Sequence, residues 1–235
     1  LPQQMTSISG IKEISAKSNN TYMLTEGGYV EAVGYDYYSQ LGDGGNTYRT
    51  TAVSVKTTSN KYVSDAKHIK AGGDSTYISR KKDTEGKSQG MYVIGDNNYG
   101  QLFTKDTNGK TYATPVETDK DILTMAVTTH KESSECYQAG AIVDQNGMVY
   151  TVGYNGYGEM GNGTISSIKT TEPTQIEKGK YKETKEIETP EGTTQTTTTE
   201  KEIELNNIKD IAAGYYYNLA LDNEGYVYSW GYNGY

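Results

Sequence analysis

Apolar and polar residues alternate along this chain in short runs, and glycine-containing turns separate the runs. Val30-Glu31-Ala32-Val33, Met91-Tyr92-Val93-Ile94, Val149-Tyr150-Thr151-Val152 and Val227-Tyr228-Ser229-Trp230 each lead into a glycine, and each follows a turn built on Gly28, Gly90, Gly147 or Gly225. Side chains that point to opposite faces at every step make such runs strands, and glycine supplies the positive φ of tight hairpin turns. No stretch sustains an apolar period of 3.6 residues, so the pattern predicts strands and no substantial helix.

The runs belong to a repeat. Val33-Gly34-Tyr35-Asp36, Ile94-Gly95-Asp96-Asn97, Val152-Gly153-Tyr154-Asn155 and Trp230-Gly231-Tyr232-Asn233 share one plan, with Tyr38, Tyr99, Tyr157 or Tyr235 four residues beyond the glycine. Gln40, Gln101 or Glu159 follows, then Leu41, Leu102 or Met160. The glycines recur roughly every sixty residues, a spacing that belongs to stacked supersecondary units. Before each hairpin lies an apolar start (Ile11, Ile69, Met125, Ile208), and after the glycine motif comes an extended run that proline marks in Thr114-Pro115-Val116, Glu172-Pro173-Thr174-Gln175-Ile176 and Pro2-Gln3-Gln4-Met5. Each unit therefore holds four short antiparallel strands, the blade of a β-propeller. The repeats run over about 8–65, 66–121, 122–207 and 208–235, with 1–7 as a strand of a preceding blade.

Ile211-Ala212-Ala213-Gly214, Leu219-Ala220-Leu221, Asp222-Asn223-Glu224-Gly225 and Val227-Tyr228-Ser229-Trp230-Gly231 together resemble the regulator of chromosome condensation repeat family. The resemblance implies a seven-bladed ring, of which this chain would supply an open arc of about four blades. The alternative is a small closed ring in which Pro2 to Ser7 completes the blade of Ile208 to Trp230. Three departures concern local turns: Lys17 and Thr128 stand where the first strand usually closes with Gly, and Phe103 stands where the other copies have Gly42 and Gly161.

The last interval between motif glycines is about 20 residues longer than the others. Its excess, 177–205, is rich in Thr, Lys and Glu around Pro190-Glu191-Gly192 and reads as an inserted β-ribbon or a mobile loop.

Composition narrows the function. The formal net charge is −8 and the chain has 23 Tyr against one Phe and one Trp. Phosphate recognition rests on clustered cations, so a nucleic-acid surface is not expected, and no apolar run is long enough to insert in a membrane. Cys136 is the single cysteine, which excludes an intrachain disulfide. Leu1 follows no basic-then-apolar leader, so a targeting signal is expected to be absent or removed. The two histidines, His68 and His130, fall in different repeats, and neither a phosphate-cradling loop nor a zinc helix is present. No catalytic residue, metal site or cofactor is expected.

Recognition is the remaining chemistry. Loops after the same strand in successive blades share one rim, which would present Tyr35, Asp36, Tyr37, Tyr38, Asn97, Asn98, Tyr99, Asn155, Tyr157 and Asn233. Rigid amphipathic rings beside carboxamides suit contact with a partner. The same Tyr38, Tyr99 and Tyr157 also fit packing between blades. The sequence thus points to a non-catalytic protein-binding scaffold, with a bacterial secreted or cell-surface protein as the expected setting. A carbohydrate-binding module is the alternative from composition, and a guanine-nucleotide exchange factor is the alternative from the resemblance.

Overall fold

The computed structural model describes residues 8–132, 135–188 and 194–234, and every regular element among them is a strand. The first sheet holds β1 (Ile11–Lys17), β2 (Asn20–Thr25), β3 (Val30–Gly34) and β4 (Arg49–Ser54) in chain order. A small ribbon, β5 (Lys56–Thr58) with β6 (Lys61–Tyr62), leads to the second sheet: β7 (Ala66–Ala71), β8 (Ser75–Arg80), β9 (Met91–Gly95) and β10 (Lys110–Val116). The third sheet starts at β11 (Ile122–Val127), is interrupted by a hairpin of β12 (His130–Glu132) and β13 (Glu135–Tyr137), and continues with β14 (Ala139–Asp144), β15 (Val149–Asn155) and β16 (Ser166–Ile176). A long ribbon of β17 (Lys178–Glu188) and β18 (Thr194–Glu204) precedes the fourth sheet, β19 (Ile208–Ala213), β20 (Tyr217–Asp222) and β21 (Val227–Gly231). Pro2 to Ser7 and Pro190 to Gly192 lie outside the described residues.

The four sheets repeat one another in detail. Each first strand slips register against the second after its opening residue, between Ile11 and Glu13, Ala66 and His68, Ile122 and Thr124, and Ile208 and Asp210. Such a bulge bends and twists a strand, and the same bend in every unit keeps the blades alike. First strands pack in succession, β1 on β7, β7 on β11 and β11 on β19. Side chains of one blade accept from backbone donors of its neighbour: Glu13 from Ile69 N–H and Ser15 from Ala71 N–H of the following blade, and Thr129 from Gly73 N–H of the preceding one.

Three apolar cores lie between successive sheets. Tyr22, Leu24 and Val30 meet Ile69, Ile78, Tyr92 and Ile94 in the first. Tyr77, Met91, Val93 and Phe103 meet Met125, Ile142 and Val152 in the second. Val143, Val149 and Ile176 meet Ile208, Ile211 and Trp230 in the third. Neighbouring residues of one strand feed different cores, Ile78 the first and Tyr77 the second, as strand alternation requires. Buried phenols have acceptors: the Tyr22 hydroxyl donates to the Gln40 carbonyl at 2.7 Å, and that of Tyr77 to the Gln101 carbonyl. Among the described residues the arc is open: Leu219 and Val227 on the far face of the fourth sheet are exposed.

Phe103 sits at φ +61°, close to Gly42 at +66° and Gly161 at +64°, so this turn keeps its shape without glycine. Over Gly42 lies Ile94 and over Gly161 lies Trp230. The matching residue of the third blade is the smaller Val152, and the Phe103 ring fills the space, edge-on to Tyr77 at 5.9 Å.

Candidate interaction rim

Strand pairing decides which loops share an end of the arc. Gly34 pairs with Asn20, Gly95 with Ser75, Gly153 with Ala139 and Gly231 with Tyr217. The loop after the third strand and the turn after the first therefore emerge together in every blade. They are tied to each other: Tyr35 N–H donates to the Asn19 carbonyl, Asp96 to Asp74, Tyr154 to Gln138 and Tyr232 to Tyr216, all between 2.8 and 3.0 Å. The glycine before each donor has φ between +94° and +123°, and a Cβ there would run into that same carbonyl.

Within the loops, Asp36, Asn97 and Asn155 are buried and point inward. Their side-chain oxygens accept from the N–H of Leu41 at 2.8 Å, Leu102 at 2.8 Å and Met160 at 3.0 Å. Gln40, Gln101 and Glu159 accept in turn from the N–H of Tyr38, Tyr99 and Tyr157. Asp36, Asn97 and Asn155 thus staple the rim loops and do not reach solvent, which corrects their assignment as contact residues. Polar type alone does not reveal which way a side chain faces.

Asp36 does the staple's work with the wrong group. The amides of Asn97 and Asn155 donate to the carbonyls of Asp106 and Thr164, whereas Asp36 Oδ2 is buried without a hydrogen-bond partner. Burial, with Asp43 adding to it, lifts the Asp36 carboxyl from 3.8 to about 6. A carboxyl raised in the folded state stabilises the fold while protonated, fully below its unfolded value, and that contribution is lost as pH rises through about 6. Asp36→Asn should therefore raise unfolding free energy by about 1–2 kcal/mol at pH 7.5 and little at pH 4. Urea titrations at the two pH values check this, and equal effects at both would contradict it.

The rings form the rim's outer layer. Tyr35 and Tyr37 are exposed and stacked at 6.3 Å, while Tyr38, Tyr99 and Tyr157 are half-buried. Across the other blades the rings interlock: Tyr99 with Tyr154 at 5.3 Å, Tyr154 with Tyr137 at 4.7 Å, Tyr157 with Tyr216 at 4.9 Å and with Tyr232 at 5.3 Å. His130 lies within this cluster, its Nε2 2.8 Å from the Tyr216 hydroxyl. Asn98 and Asn233 are exposed. Sequence reasoning missed Tyr48, Tyr215, Tyr217, Ile165 and Ile168, all exposed at this end. The signal for Tyr215 and Tyr217 is strand pairing: Tyr215 lies in the turn after a first strand and Tyr217 opens the second strand opposite Gly231, so both share the rim.

At the inner edge of the rim, a cavity of about 440 Å³ is lined by Lys17, Asn20, Tyr35, Asp74, Cys136 and Tyr215. The Lys17 ammonium donates to the Val127 carbonyl at 2.5 Å, linking the first blade to the third. Burial first, then the neighbouring Lys70, brings its pKa down to about 8. Cys136 Sγ accepts from Gln138 Nε2 at 3.6 Å. Among the described residues no group of three or more His, Cys, Asp and Glu is placed to hold a metal ion. What the rim offers is aromatic area and hydrogen bonds in fixed positions.

Sheets of four antiparallel strands stacked through their faces in an open arc define a repeat β-propeller of the blade type. A model of the regulator of chromosome condensation (RCC1) repeat matches residues 208–235, and each of the other three sheets contains the same antiparallel run of three strands with a fourth beside it. The fold is similar to that of human WBSCR16, with a TM-score of 0.64 and 16% identity over 94% of this chain and 47% of that one. It is likewise similar to Prp20p of Saccharomyces cerevisiae, with a TM-score of 0.57 and 17% identity over 94% of this chain and 43% of that one. This chain spans less than half the length of those structures.

Proposed function

We propose that this chain is a non-catalytic protein-binding scaffold whose tyrosine-rich rim is the contact face. One observation carries the reading: exposed Tyr35, Tyr37, Tyr48, Tyr215, Tyr217 and Tyr232, with Ile165 and Ile168, gather at one end of the blades, while Tyr29, Tyr62 and Tyr226 are scattered over the other. Aromatic side chains held by neighbouring rings lose little freedom on contact, so affinity comes from positions set before the partner arrives. Work on Prp20p describes its binding to Gsp1p and histones, which supports a protein partner for this fold. Display on the outside of a bacterial cell is part of the proposal, resting on the preference for Lys over Arg and the Thr-rich ribbon, and protease accessibility on intact cells tests it.

The contact face is tested by symmetry. A partner captured by photo-crosslinking from Tyr37 and then purified should bind the triple variant Tyr35→Ser, Tyr37→Ser, Tyr48→Ser at least tenfold more weakly, since aromatic anchors dominate such interfaces. The triple variant Tyr29→Ser, Tyr62→Ser, Tyr226→Ser should bind as the parent does. The reverse ranking, or binding of a glycan panel through the rim with no protein captured, would refute the reading.

A further inference from the structure

The β17–β18 ribbon leaves the arc at the end away from the rim, since it continues from Ile176, which pairs with Val149 at the foot of β15. Its base meets the fourth sheet, where Lys178, Gly179 and Lys180 line a groove with Tyr228 and Trp230. Beyond that base the two ribbon strands pack on each other and on no other described strand to a comparable extent. The stretch 180–188 carries a symmetry of charge. About Thr184, every charged residue mirrors one of opposite sign: Glu183 with Lys185, Lys182 with Glu186, and Lys180 with Glu188.

Such a mirror has a geometric meaning. Two copies of one strand edge related by a two-fold axis run antiparallel, so a residue that faces a second residue of the partner copy is matched by the reverse contact. With the axis at Thr184, each mirrored pair becomes a cross-strand ion pair, and each occurs twice. An axis one residue away would set Glu183 against Glu183 or Lys185 against Lys185, and like charges directly opposite repel. Within the ribbon, Lys180 and Lys182 stand opposite Glu202 and Glu200, whereas Glu186 and Glu188 stand opposite Thr196 and Thr194. All four of Lys180, Lys182, Glu186 and Glu188 are exposed. β18 lacks the mirror: on the matching face Thr194, Thr196 and Thr198 precede Glu200, Glu202 and Glu204, so self-pairing of β18 brings no cation to these acids.

We propose that β17 is a self-association surface, at which two copies of this chain pair antiparallel about Thr184 and join their ribbons into one four-stranded sheet. Main-chain hydrogen bonds supply the attachment, as along any strand edge, and the mirrored charges select a second copy in one register. Because the ribbon leaves from the end away from the rim, both rims stay free and the pair presents two contact faces.

Two charge-reversed chains test this. Glu186→Lys with Glu188→Lys alters residues that face threonines in the ribbon, so circular dichroism and the melting curve should stay those of the parent. Self-association should weaken at least tenfold, because Lys then stands opposite Lys in the pair. Lys180→Glu with Lys182→Glu should weaken it likewise. An equimolar mixture of the two variants sets every Lys opposite a Glu again and should associate at least as tightly as the parent. Sedimentation velocity up to about 1 mM protein reads every sample, and parent association should weaken as salt rises from about 0.05 to about 0.5 M, because exposed pairs are screened. A parent that stays monomeric throughout, a Glu186→Lys, Glu188→Lys chain that associates as the parent does, or a mixture that stays monomeric would overturn the proposal.

Discussion

Gly95→Ala should lower unfolding free energy by roughly 2–3 kcal/mol, more than most single substitutions. Two costs combine. A residue with a Cβ placed at φ +94° is strained by about 1–2 kcal/mol. The Cβ would also run into the Asp74 carbonyl, which accepts the Asp96 N–H at 2.8 Å, so the turn must open and that bond, worth about 1 kcal/mol net, must lengthen or break. Gly163→Ala separates the two costs. Gly163 has φ +76° and nothing within 4 Å of an added Cβ, so it should lose about 1–2 kcal/mol from strain alone. Urea midpoints for both variants give the comparison, and equal losses would mean that the close approach at Gly95 does not shape the blade.

Phe103→Gly should also destabilise, by roughly 2–4 kcal/mol, although it installs the residue found at Gly42 and Gly161. Glycine relieves the φ of +61°, a gain of about 1 kcal/mol, but removal of a buried ring costs about 3–5 kcal/mol. The emptied space borders Val152 and Tyr77. Val152→Ile should therefore hurt the parent by overpacking and help Phe103→Gly by filling the void, a coupling of about 1 kcal/mol or more in a double-mutant cycle. Additive effects would show that Phe103 and Val152 do not share that space.

Much of the fold was legible because glycine at a forced φ and strand alternation both leave marks in sequence. Gly34, Gly95, Gly153 and Gly231 had to occupy one kind of place, and they do, down to the carbonyl each approaches. The bulge near Lys12, Lys67, Leu123 and Lys209 left no such mark, since a bulge changes backbone register without demanding a residue type. The β12–β13 hairpin was equally silent, its strands being only three residues long. At the rim, composition found the tyrosines but could not sort them. Asp36, Asn97 and Asn155 look like contact residues until their burial shows them bonded to Leu41, Leu102 and Met160. Tyr215 and Tyr217 became rim residues only once pairing had fixed which end of each strand they occupy.

The central claim is that four units place their motif glycines in one backbone setting and stack as blades. Scalar couplings across hydrogen bonds, measured by NMR on deuterated protein, test it most directly. The amides of Tyr35, Asp96, Tyr154 and Tyr232 should couple to the carbonyls of Asn19, Asp74, Gln138 and Tyr216 respectively, and the two inner members of the set, Asp96 and Tyr154, should exchange slowly with solvent. Couplings from these amides to unrelated carbonyls, or exchange of all four at the rate of a free peptide, would contradict the account.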